Sequence, residues 1–318
     1  MFDILCIGET AVDIICKPVS ECLFSNVCSP VESISIQSGG DALNNAVDLA
    51  KLGNQVCYVG RIGLDAGGEF VLGALQNAGV DVSHVVRTDC PHAKVNLLIK
   101  PDGNRAFFYY GGTSREFSAS DVDPALLSSC KILQVGGTFH LPAFDGAGAA
   151  ELFQAAQKAG VLTSMDVTND FTGRWNEIIS PCYPHLDYFL PSIDQAKLIS
   201  GYQDPRDIAA FFLDRGVKHV AIKLGAEGSF YQSGNKAFFC GTYHVPVVET
   251  TGAGDAFCAG FLTALVRNCS PEECVLTATA ASAQVIQAVG ANTGMCSYAQ
   301  LQAFIRENQP PEIHYVTD

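Results

Sequence analysis

The chain has 318 residues, with 19 Lys and Arg against 33 Asp and Glu, a formal net charge of −14 and 48% hydrophobic residues. At roughly 150 residues per domain, that length suits two domains or one large α/β domain with an addition. The acidic balance argues against a nucleic-acid or anionic-lipid partner, which needs a basic footprint, and the apolar share excludes wholesale disorder.

Residues 2–7 read as a buried first strand that Gly8 ends. Asp3, Glu9 and Asp13 interrupt the N-terminal stretch and no basic start precedes them. Neither a signal peptide nor a membrane span is expected, and the chain reads as cytoplasmic. Residues 12–19 and 31–37 predict strands with no helix between them. A helix over 41–52 stops at Gly53-Asn54, a strand follows over 55–59, and a helix over 67–77 stops at Gly79. Strands over 93–100 and 105–110 are joined by Pro101-Asp102-Gly103-Asn104, a hairpin signal. Then come a strand (132–135), a helix (147–158) and strands at 162–167 and 188–190. Helices over 193–200 and 208–215, a strand over 217–224 and long helices over 255–267 and 271–288 complete the series.

Repeated strand-then-helix units predict a parallel sheet covered by helices on both faces. The two strand pairs that lack helices predict a small β-sheet standing off it, or else an edge extension of the main sheet. The expected core spans 1–11, 39–91 and 112–318. The expected lid spans 12–38 and 92–111. Thirteen scattered cysteines without a C-x-x-C pair read as reduced thiols rather than zinc ligands or a disulfide framework.

The densest chemical signal is Glu249-Thr-Thr-Gly-Ala-Gly-Asp255 ahead of an apolar helix. Small residues at 252–254 let a ligand approach the backbone. Unpaired N–H groups and the dipole at the helix start favour an anion. Asp255 beside a bound phosphoryl group could take a proton from an attacking hydroxyl. The plain alternative is a glycine-rich turn with a capping Asp. In Ser38-Gly-Gly-Asp-Ala-Leu-Asn44, two glycines turn a strand into a helix, Asp41 can cap it, and the Asn44 carboxamide offers a donor and an acceptor to a polyol. An ordinary helix start explains it equally. Asp13 follows the first strand and could grip two hydroxyls, or be a solvated loop acid. His140 could face the cleft or sit in a plain loop. The P-loop, dinucleotide and protein-kinase signatures are absent.

Together these residues resemble the ribokinase/PfkB family of carbohydrate kinases. The resemblance rests on Gly39-Gly40 with Asn44 and the later Leu52-Gly53, and on Thr251-Gly252-Ala253-Gly254-Asp255. Gly60-Arg-Ile-Gly63, Gly79-Val-Asp81 and Lys223-Leu-Gly225-Ala-Glu-Gly228 extend it over essentially the whole chain. It implies a ribokinase-like α/β core with a β-sheet lid, and transfer of the ATP γ-phosphoryl group, with Mg²⁺, to a hydroxyl of a sugar or nucleoside. It implies Asp255 as base and Gly252, Ala253 and Gly254 as an anion hole. Asp13, Gly40 and Asn44 would contact the sugar, and Arg105 on the lid suggests a polar, anionic or keto sugar. Lys223, Gly225, Gly228 and Thr279 would flank the nucleotide.

Departures from the family pattern are local. Ser192 and Gln195 stand where the family often has Asn and Glu, with Asp194 between them. Glu249 replaces an Asp at a loop that, with Thr251, would hold K⁺. Gly136-Gly137 replaces an acid used by ribose-specific members. The expected acceptors are fructose, 2-keto-3-deoxygluconate or a ribose-like sugar. The alternatives are a nucleoside, or a regulator without catalysis. A homodimer through the lid is also implied.

Overall fold

The computed structural model describes residues 1–19, 28–102 and 104–316. The Arg105 side chain, Cys22 and Gly103 lie outside the described residues. The strands are β1 (Phe2–Gly8), β2 (Ala11–Lys17), β3 (Ser33–Gly39), β4 (Val56–Val59), β5 (Arg61–Gly63), β6 (Val86–Thr88), β7 (Lys94–Ile99) and β8 (Arg105–Tyr110). They continue as β9 (Cys130–Thr138), β10 (Leu162–Val167), β11 (Tyr188–Phe189), β12 (His219–Lys223), β13 (Ser229–Ser233), β14 (Lys236–Cys240) and β15 (Ile313–Tyr315). The helices are α1 (Asp41–Lys51), α2 (Ala66–Asn77), α3 (Ala147–Lys158), α4 (Trp175–Ile179), α5 (Ile193–Ser200), α6 (Pro205–Leu213), α7 (Ala253–Val266), α8 (Pro271–Val285) and α9 (Tyr298–Glu307).

The large sheet runs β15-β14-β13-β12-β11-β10-β9-β1-β4. From β4 to β12 every pairing is parallel. That part is buried on both faces, which explains the unbroken apolar run Ile4-Leu5-Cys6-Ile7. Period-two geometry sends Ile4 and Cys6 toward α1, α7 and α8, and Leu5 and Ile7 toward the side of α3 and α6.

The sheet is mixed, not purely parallel. β13, β14 and β15 add antiparallel pairs at one edge. The sequence expectation assigns no element between 224 and 255. The hairpin there rests on short turns at Gly225–Glu227 and Gly234, which leave no room for a crossover helix.

The second sheet, β3-β2-β7-β8, is separate from the first, so the edge-extension alternative does not hold. Its rows Ile36–Ile14–Asn96–Phe108 face one way. Asp13, Val95, Leu97, Phe107 and Tyr109 point the other way, into a cleft over the large sheet. One expectation about α1 is corrected. Asp41 does not cap the helix; it is the first helical residue, and Gly40 occupies the cap with φ of 91° and no side-chain hydrogen bond. A glycine pair at the strand end lets the chain turn one residue earlier than a capping carboxylate requires.

Candidate active site

A cleft of about 1280 Å³ lies between the small sheet and the C-terminal ends of the parallel strands, where open α/β sheets characteristically take ligands. Asp13, Gly40, Asn44, Lys223, Gly225, Gly228, Thr251, Gly252, Ala253, Gly254, Asp255 and Thr279 all line it. Glu249 is not among the lining residues. The cleft also gathers Glu9, Tyr109, His140, Asp166 and Phe171.

α7 begins at the floor of this cleft. Gly252 caps it in the left-handed region, φ 77°, without a side-chain hydrogen bond. A Cβ on Gly252 would lie 2.2 Å from the Ala291 carbonyl oxygen, so both the backbone angle and the space demand glycine. The Ala253 N–H donates to the Thr250 carbonyl at 3.2 Å, and no side-chain oxygen caps the other N–H groups of the first turn.

Asp255, in the first turn of α7, is only 9% exposed. Asn44 Nδ2 donates to its Oδ2 at 2.8 Å, and Asn45 Nδ2 approaches its Oδ1 at 3.3 Å. Burial, then the nearby Asp41 and Asp166 carboxylates, hold the Asp255 carboxyl well above the ordinary carboxylate range. Burial and Asp166 likewise push Asp41 up to about 7. Carboxyls shifted in this way by burial and like charge mark a candidate functional site rather than a solvated surface acid.

The Lys223 ammonium answers these acids. Lys223, at the end of β12, places Nζ 2.7 Å from Asp166 Oδ2 at the end of β10, with the two side chains 12% and 4% exposed. The Cys258 thiol donates to the same oxygen at 3.3 Å. Burial opposes the ammonium charge most strongly, but Asp166, Cys258 and Asp255 together outweigh it and keep the Lys223 pKa above its usual value. A Cβ on Gly254 would come within 3.3 Å of Lys223 Nζ, so the ammonium sits against the helix start.

The small-sheet side of the cleft is built around Glu9. Tyr109 OH, from β8, donates to Glu9 Oε1 at 2.6 Å, and His140 Nδ1 lies 2.9 Å from Oε2. The His140 ring stacks on Tyr109 at 4.3 Å and on Phe171 at 5.0 Å. Burial works against the imidazolium, yet Glu9 holds the His140 pKa above its usual value. Asp13 stands alongside. Burial, reinforced by Glu9, raises its carboxyl to about 7. Gly39 makes room for it, since a Cβ there would lie 2.2 Å from Asp13 Oδ2.

Several sequence candidates hold structural bonds. Thr279 Oγ1 donates to the Val275 carbonyl within α8. Glu249 accepts from Thr251 Oγ1 and from the Gly290 N–H, at 2.6 and 3.1 Å. Ser192 and Gln195 form a reciprocal cap on α5, while Asp194 lines the cleft. Asp166, Asn45 and Cys258 escaped the sequence reading. A lone Asp at a strand end is the only local sign of Asp166, and its partners lie far along the chain.

The sequence pattern of the pfkB family of carbohydrate kinases matches residues 1–297. The chain is 29% identical over 292 residues to a 2-dehydro-3-deoxygluconokinase of Bacillus subtilis (strain 168), covering 86% of this chain and 88% of that one. It is 26% identical over 327 residues to a 5-dehydro-2-deoxygluconokinase of Lacticaseibacillus casei, covering 98% of each. Its fold is similar to that of an Arabidopsis thaliana ribokinase solved with ribose and ATP, with a TM-score of 0.84 and 25% identity, over 96% of this chain and 99% of that one.

Proposed function

The chain belongs to the pfkB family of carbohydrate kinases, and from that premise we propose that it transfers the γ-phosphoryl group of ATP to a hydroxyl of a keto sugar or keto-sugar acid. The observation that carries this reading is the pairing of a buried Asp255, held by Asn44 at 2.8 Å, with a helix start capped by Gly252 without a side-chain hydrogen bond. Names of relatives that act on deoxy keto-sugar acids support the acceptor class.

In the proposed reaction the acceptor lies under the lid, against Asp13, Gly40 and Asn44. Asn44 Oδ1 is buried without a hydrogen-bond partner among the described residues, which suits an acceptor hydroxyl as donor. Asp255 takes the proton of the attacking hydroxyl. The hydroxyl oxygen bonds to the γ-phosphorus as the bridge to the β-phosphate breaks, and ADP leaves. Backbone N–H groups at 252–254 and the Lys223 ammonium meet charge on the transferring group. Mg²⁺, when bound with ATP, neutralises charge on the phosphate oxygens. Asp194 offers the cleft one carboxylate, and among the described residues no group of three or more possible metal ligands occurs. That suits an ion carried mainly by phosphate and water. Gly225, Gly228 and Thr279 would flank the nucleotide. Arg105 and a K⁺ requirement near Glu249 and Thr251 remain part of the proposal.

The outer lid face supports a homodimer. Ile34, Ile36, Phe108 and Tyr110 are 66%, 59%, 54% and 47% exposed there, an apolar surface that a second copy would cover. Among the described residues no helix is long and apolar enough to cross a membrane. The described cysteines are all free, which supports a reducing, cytoplasmic setting.

The test is ADP release over 2-keto-3-deoxygluconate, 5-keto-2-deoxygluconate, fructose, ribose and adenosine, with and without K⁺. Turnover with a keto-sugar acid and a loss of ~10²–10⁴ in kcat for Asp255→Asn support the reading. Full activity in Asp255→Asn removes the base. Turnover with adenosine alone replaces the acceptor class.

A further inference from the structure

Asn45 does not line the cleft and is fully buried, so it has no route to substrate. Its carboxamide nonetheless points at the proposed base. Nδ2 donates to the Asp41 carbonyl at 2.6 Å and approaches Asp255 Oδ1 at 3.3 Å. Asn44 holds the other carboxylate oxygen. Two successive residues of α1 thus bracket one carboxylate of α7, one amide on each oxygen.

The arrangement is poorly explained as packing. Asn45 Oδ1 is buried without a hydrogen-bond partner among the described residues, and its helix neighbours Leu43, Ala46 and Val47 belong to the apolar core. A leucine has the same branched shape, though a larger volume, and would leave no orphaned oxygen. What a leucine could not do is donate to Asp255. The back-bond to Asp41 also locks the amide, so its direction is set before any ligand arrives.

We propose that Asn45 is a positioning residue that, with Asn44, fixes the rotation of the Asp255 carboxylate and keeps it in the proton-accepting form. This rests on the kinase reading with Asp255 as base. The other charged or titratable groups around Asp255 are Asp41 from α1, Asp166 from β10, Lys223 from β12 and Cys258 from its own helix. Both carboxylates oppose ionisation of Asp255 and Lys223 favours it. A donor on Oδ1 adds to the favourable side.

The experiment compares wild type, Asn45→Leu and Asn45→Asp as full-length protein. Asp255 is titrated by carboxyl ¹³C NMR without ligands, and kcat/KM is followed against pH with whichever of the four sugars above turns over fastest. Expected is a rise in the Asp255 titration midpoint of about half to one pH unit in Asn45→Leu, and more in Asn45→Asp. The acid limb of kcat/KM moves with it, activity recovers at high pH, and KM for ATP changes little. Asn45→Leu keeps or raises the melting temperature. An unmoved midpoint in a folded Asn45→Leu protein overturns the inference. If Asn45→Leu does not fold, the Asn45→Asp midpoint decides. A wild-type level of activity in Asp255→Asn sinks the base reading itself, and this inference with it. A dead Asp255→Asn beside an unmoved Asn45→Leu midpoint sinks this inference alone.

Discussion

Lys223 Nζ lies 2.7 Å from Asp166 Oδ2, and the same ammonium abuts the first turn of α7 at Gly254. The pair joins the ends of two strands of the large sheet to the helix start that would receive phosphate. It places a buried ammonium among the Asp41, Asp166 and Asp255 carboxylates.

Replacing Lys223 by Met leaves Asp166 buried without its cation. Breaking a buried pair in this way costs about 3–5 kcal/mol. The double change Lys223→Met with Asp166→Asn removes the orphaned charge and recovers much of the stability. Activity behaves differently, because no donor replaces the ammonium at the proposed phosphate site. The expected loss in kcat is ~10²–10³ in both variants. Chemical denaturation and ADP-release rates on the two proteins check this. Recovery of activity along with stability would assign Lys223 to the fold alone.

Gly252→Ala tests the helix start. The new Cβ meets the Ala291 carbonyl oxygen at 2.2 Å, and φ of 77° is strained for alanine. The turn must shift, taking with it the N–H groups at 253 and 254. We expect a loss of at least ~1 kcal/mol in stability. KM for ATP should rise together with a fall in kcat, while affinity for the acceptor, proposed to lie across the cleft against Asp13 and Asn44, changes least. Isothermal titration with a non-hydrolysable ATP analogue and with the acceptor separates the two effects.

How much of this is legible in the chain depends on whether a feature is local. The parallel strands announce themselves through apolar runs such as residues 4–7, and the small sheet through strand pairs without helices. The glycine-rich approach to Asp255 is likewise contiguous. The antiparallel edge is obscured because β13 and β14 are five residues each, with aromatic content that does not alternate cleanly. Asp166 and Lys223 are 57 residues apart, and only the adjacency of β10, β11 and β12 brings them together. Asn45 reads as one more polar helix residue until α7 is laid across α1.

The lid's outer face makes a concentration-dependent prediction. Ile36 pairs with Ile14 on one row of the sheet, and Phe108 continues that row beyond Asn96. Ile36→Arg adds a charge to this exposed surface, where it leaves the monomer fold unaffected but opposes burial against a second copy. Sedimentation should find wild type as a dimer and Ile36→Arg as a monomer at micromolar concentration. A monomeric wild type would remove the dimer from the reading.

His92, fully buried beneath the lid's junction with the core, makes the prediction for pH. Its Nδ1 accepts from the Gly63 N–H at 3.4 Å and Nε2 lies 3.4 Å from Thr10 Oγ1. Burial lowers its pKa from 6.5 to about 4. The folded-state value is therefore below the unfolded one. Between pH 6.5 and 4 the unfolded chain binds a proton that the folded chain refuses, so stability falls as pH drops through that window. The full span corresponds to about 3 kcal/mol. Asp13, Asp41, Asp48 and Asp145, each raised to about 7, act in the opposite sense and lose stability as pH rises toward 7. The His92 contribution is isolated by difference. His92→Gln should be less stable than wild type at pH 7.5, and the gap should close or reverse by pH 4.5, because the variant has no proton to refuse. Urea midpoints at five pH values measure the gap. A gap independent of pH would mean that His92 is protonated in the folded chain as readily as in the unfolded one.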